Sequence, residues 1–102
     1  MTPEDQSTMR TVHLILVRNY VDTHKLDVDV IHNSVYIEGE LVLADAAYSG
    51  RKDDPVEAAG AARRVLNEIE REIRRMTTST SIHFKLTNWE RVGQRWVHKA
   101  GK

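Results

Sequence analysis

Cysteine is absent from the 102 residues. That excludes a disulfide framework, a thiolate metal site and any thiol chemistry. It also fits a reducing compartment, and we expect a cytoplasmic protein. No apolar run approaches the roughly 18 residues that a spanning helix needs. The N-terminal MTPEDQSTMR lacks a basic segment followed by an apolar one, so no secretory signal is expected. Only five glycines occur, at 39, 50, 60, 93 and 101, too scattered for a phosphate-cradling loop. An excess of either charge is missing too. Fifteen bases balance fifteen acids, which argues against nonspecific nucleic-acid binding.

What is present is an uneven spread of that charge. Residues 22–57 hold nine acids against three bases, and residues 85–102 hold five bases against one acid. An acidic face and a basic tail are therefore expected, able to meet within one chain or between two. A chain of this length makes one modest core.

Thr2-Pro3-Glu4-Asp5 has the order of a helix start: a capping hydroxyl, proline at the first helical position, then acids. Met9, Val12, Ile15, Leu16 and Tyr20 then recur at helical spacing. Val12, Leu14 and Leu16 also alternate, so residues 10–20 read as helix with strand as the alternative. Over LDVDVIHNSVYIEGEL the period is two. Leu26, Val28, Val30, Val35, Ile37 and Leu41 point one way; Asp27, Asp29, Tyr36, Glu38 and Glu40 point the other. This is a half-buried hairpin, with its turn expected at Asn33-Ser34. Asp54-Pro55-Val56-Glu57 then opens a second helix, carried by Ala59, Ala62, Leu66, Ile69, Ile73 and Met76. Ile82, Phe84 and Leu86 alternate with His83, Lys85 and Thr87 as a third strand.

The expected fold is therefore α+β in the order αββαβ, a three-stranded sheet with helices packed on one face. Residues 1–88 form the domain, and residues 89–102 a basic tail that docks onto it through Trp89 and Trp96.

The stretch LDVDVIHNSVYIEGELV resembles the BON domain, a small bacterial module of osmotic-stress and envelope proteins. The pattern is an alternating apolar strand, a short polar break, and a second apolar strand ending in glycine. Asn33 and Gly39 stand at its turn residue and its in-strand glycine. Ser34 departs from the usual turn glycine, and MTTSTS replaces a glycine–valine step after the second helix. The resemblance covers about Thr11 to Leu86. It implies a non-catalytic binding module acting through protein, phospholipid or membrane partners, and it brings no catalytic residues.

Nothing in the residues argues for an enzyme. His13, His24, His32, His83 and His98 show no HExxH or other paired spacing, and read as surface or edge histidines. No GxSxG or Walker motif occurs, and no cofactor is expected. A two-residue turn at Asn33-Ser34 would oppose Asp29 to Glu38 and Asp27 to Glu40, two like-charge pairs that need offsetting. Screening, or Lys85 and His83 on a third strand beside residues 26–31, would supply it. The alternative is a cation- or small-ligand-sensing face built from Asp27, Asp29, Glu38 and Glu40. As interaction residues we single out Tyr36, His83, Lys85, Trp89 and Trp96, with a protein partner or a second copy of the chain as the expected ligand.

Overall fold

The computed structural model describes residues 2–48, 54–78 and 81–99. Helix α1 (Pro3–Arg18) begins at Thr2, whose hydroxyl accepts the Asp5 N–H at 3.0 Å, with proline in the first turn. The strand alternative for residues 10–20 fails at Leu14. Alternation would bury it with Val12 and Leu16, yet it is exposed, while Val12, Ile15 and Leu16 are buried at helical spacing. Tyr20 departs from that spacing. The helix has already ended, in a Schellman arrangement: the Tyr20 N–H reaches Val17 O and the Val21 N–H reaches Leu16 O, both at 3.0 Å. Tyr20 occupies the left-handed position at φ 64, where glycine is usual, and is 51% exposed.

Asp22 caps a single 3₁₀ turn (Thr23–Lys25), and the chain enters β1 (Leu26–Ile31). Strand β2 (Ser34–Gly39) returns antiparallel. The turn falls on His32 and Asn33, at φ 50 and 66, and not on Asn33-Ser34. Two positive φ values define a type I′ turn, and histidine and asparagine enter that region more readily than serine. Each cross-strand partner therefore moves by two residues, which preserves both faces of the sheet. Asp29 lies opposite Tyr36 and Asp27 opposite Glu38. Gly39 ends β2 at φ 125, where a Cβ would stand 2.3 Å from Lys25 O, so no other residue fits without moving the backbone. There the Glu40 N–H donates to the same Lys25 carbonyl at 3.0 Å.

Residues 49–53, part of the polar connector, lie outside the described residues. Helix α2 (Pro55–Met76) starts as the sequence predicts, with the Asp54 carboxylate accepting the Val56 N–H at 2.9 Å. It buries Ala61, Ala62, Leu66, Ile69 and Ile73, while Met76, at its last turn, is exposed. Strand β3 (Ser81–Leu86) then joins β2 in parallel, giving the sheet order β1-β2-β3. The third strand thus lies beside β2 and not beside residues 26–31.

Residues 89–98 are more than a docked tail. They form an antiparallel hairpin, β4 (Trp89–Val92) and β5 (Arg95–His98), turning at Gly93 with φ 65. Trp89 and Trp96 are each only 4% exposed and belong to the same core as α2. Arg63 lies over Trp89 and Arg91 over Trp96, at 5.7 and 5.3 Å from the ring centroids. Arg91 also pairs with Glu70 of α2, and Phe84 meets Trp96 edge-on at 5.0 Å. Burial of each large aliphatic side chain contributes about 1.5–3 kcal/mol. Val12, Ile15, Leu16, Val30, Val35, Ile37, Leu66, Ile69 and Ile73 form the driest part of that core.

Candidate functional site

Both helices pack against the face of the sheet that carries Leu26, Val30, Val35, Ile37 and Leu86. Among the described residues, nothing packs on the opposite face. Strict alternation puts three cross-strand rows there, in register: Ile31–Ser34–Ser81, Asp29–Tyr36–His83 and Asp27–Glu38–Lys85. The middle row holds a stacked ring pair. The rings of Tyr36 and His83 stack with centroids 4.8 Å apart and planes inclined by 12°. Behind them, Ser81 Oγ stands 3.1 Å from His83 Nε2 and donates to Ser34 Oγ at 2.9 Å. Parallel pairing of β3 with β2 brings Tyr36 and His83 together.

The acidic residues are distributed differently from the expectation. Asp27 and Glu38 form one opposed like-charge pair, with Lys85 beside Glu38 on the next strand. Asp29 faces Tyr36, and its carboxylate also accepts the Val30 N–H at 3.0 Å. Glu40 lies past the end of β2. The four carboxylates do not assemble, and among the described residues no three His, Asp or Glu side chains could share a metal ion. All five histidines are exposed. Trp89 and Trp96 lie in the core, at the opposite side of the sheet from Tyr36, His83 and Lys85. Among the described residues, no helix is long and apolar enough to cross a membrane.

Comparison with family models, with curated proteins and with solved structures finds no match to this chain.

Several side chains fix this surface and its surroundings through contacts that no spacing in the sequence reveals. The Asn33 N–H donates to the buried Asp5 carboxylate at 3.3 Å, and Asn33 Nδ2 donates to Thr78 O at 2.6 Å. The hairpin turn is thereby tied to the start of α1 and to the segment before β3. Asn88 imitates a strand: its Nδ2 donates to Leu41 O at 2.9 Å and its Oδ1 accepts the Leu41 N–H at 3.0 Å. Glu72, buried on α2, meets Arg18 at 3.6 Å and Asn19 at 3.4 Å, joining the two helices. At the half-exposed Asp22, the His24 backbone N–H chiefly holds the carboxyl below its ordinary range, helped by the His24 side chain.

Proposed function

We propose that this chain is a non-catalytic binding module of the BON type, and that it engages a positively charged segment of a protein partner on the open face of its sheet. The observation that carries the reading is the stacked Tyr36–His83 pair, set between Asp29 on one side and Glu38 with Asp27 on the other. Aromatic faces attract cations through the ring quadrupole, and three carboxylates against one ammonium favour a basic ligand. Two rigid rings also offer contact area at small entropic cost, as hot-spot residues do. The resemblance adds support through Asn33 and Gly39. Each occupies a positive-φ position that shapes the hairpin presenting the acidic residues.

Affinity capture from the native cell with immobilised wild-type chain, compared with a Tyr36→Ala/Asp29→Asn double variant, tests this. A partner retained by the wild type, lost by the variant and released by salt is the expected result. A partner retained equally by both would place binding elsewhere. A second copy of the chain as the retained species would make the module self-associating.

A further inference from the structure

We propose a second site, independent of the sheet face: the cleft between α2 and the C-terminal hairpin binds the phosphoryl group of a soluble phosphate monoester. The cleft, of about 330 Å³, is lined by Arg63, Asn67, Gln94, Arg95, Trp96 and Val97. Two guanidiniums and two amides belong to its lining residues, and no carboxylate does.

Two arginines farther along α2 and one on the hairpin are neutralised by acids. Arg71 pairs with Glu68 at 3.1 Å, Arg74 with Glu70 at 3.2 Å, and the hairpin's Arg91 with Glu70. Arg63 has no carboxylate partner among the described residues. It is held instead by its Nε, which donates to Trp96 O at 3.2 Å, and by its π-contact with Trp89. Those two contacts fix the guanidinium plane, and its terminal N–H groups have no acceptor among the described residues. Asn67 follows one helical turn later on the same face. Gln94 and Arg95 approach from the hairpin turn.

A guanidinium fork matches oxyanion geometry, and two of them suit a group carrying nearly two negative charges better than a single carboxylate. Trp96, which lines the same cleft, has a buried Nε1 with no hydrogen-bond partner among the described residues, an uncommon condition for a donor. A cleft larger than one phosphate leaves room for the organic part of an ester beside Val97.

The test is a ¹H–¹⁵N NMR titration of the intact chain with inorganic phosphate and with glycerol 3-phosphate, at ionic strength held constant with sodium chloride. Saturable shifts of the Trp96 indole N–H and of the amides of residues 94–97 are expected, with the ester at least as tight as phosphate. Arg95→Gln, an exposed substitution that leaves the core intact, should weaken binding about tenfold or more. Arg75→Gln, elsewhere on α2, should leave it unchanged. Shifts that fail to saturate, that chloride alone reproduces, or that persist undiminished in Arg95→Gln would overturn the proposal.

Discussion

Tyr20 shows how one residue can carry strain for the benefit of its neighbours. Its left-handed backbone closes α1 and lets Val21 turn back onto Leu16, at a cost of about 1–2 kcal/mol for an L-residue. Tyr20→Gly relieves that strain but gains freedom in the unfolded chain, so the net effect should be stabilisation by about 0.5–1 kcal/mol. Urea denaturation reads it directly, and a lowered midpoint would mean that the tyrosine ring contributes more than the backbone loses. Asp22 gives a residue-scale pH dependence. Its carboxyl is depressed in the folded chain, so its contribution is present above the unfolded value, near about 3.9, and disappears as pH falls through the folded value. An NMR titration should find its midpoint below that of an ordinary aspartate. The depression should largely survive in His24→Ala, since the backbone amide of that residue is its main cause. A midpoint restored to normal by His24→Ala would assign it to the imidazole.

Among the elements, the second helix was legible because its signals agree. Asp54 caps, Pro55 occupies the first turn, and the apolar spacing runs unbroken to Ile73. Asp54→Ala should therefore cost about 0.5–2 kcal/mol in denaturation experiments, and an unchanged midpoint would mean that the helix starts elsewhere. The hairpin was legible in its faces but not in its register. Period two assigns inward and outward residues whatever the turn, whereas pairing depends on which two residues accept positive φ. His32 and Asn33 do so here, and that choice separated Asp29 from Glu38. Nor does alternation reveal a strand's neighbour, and the placement of β3 beside β2 is what built the Tyr36–His83 stack. The C-terminal hairpin stayed hidden for a different reason. Its strands are four residues each, and its stability comes from Trp89, Trp96, Arg63 and Arg91 meeting α2, contacts with no local periodicity.

In the whole molecule, a net charge of zero conceals a polarity between surfaces. Acids dominate the outer rows of β1 and β2, while α2 and the hairpin expose Arg63 and Arg95, which have no carboxylate partner among the described residues. Among the described residues the three-stranded sheet is covered on one side only, and its open side holds stacked aromatic rings among exposed carboxylates. Binding of a basic segment there is tested most directly by titrating ¹⁵N-labelled protein with a lysine- and arginine-rich peptide and mapping the amides that respond. Saturable, salt-sensitive shifts confined to residues 27–29, 36–38 and 83–85, lost in Tyr36→Ala/Asp29→Asn, are the predicted result. Shifts centred on α1, α2 or the C-terminal hairpin, or a response at the sheet that the double variant leaves intact, would contradict it.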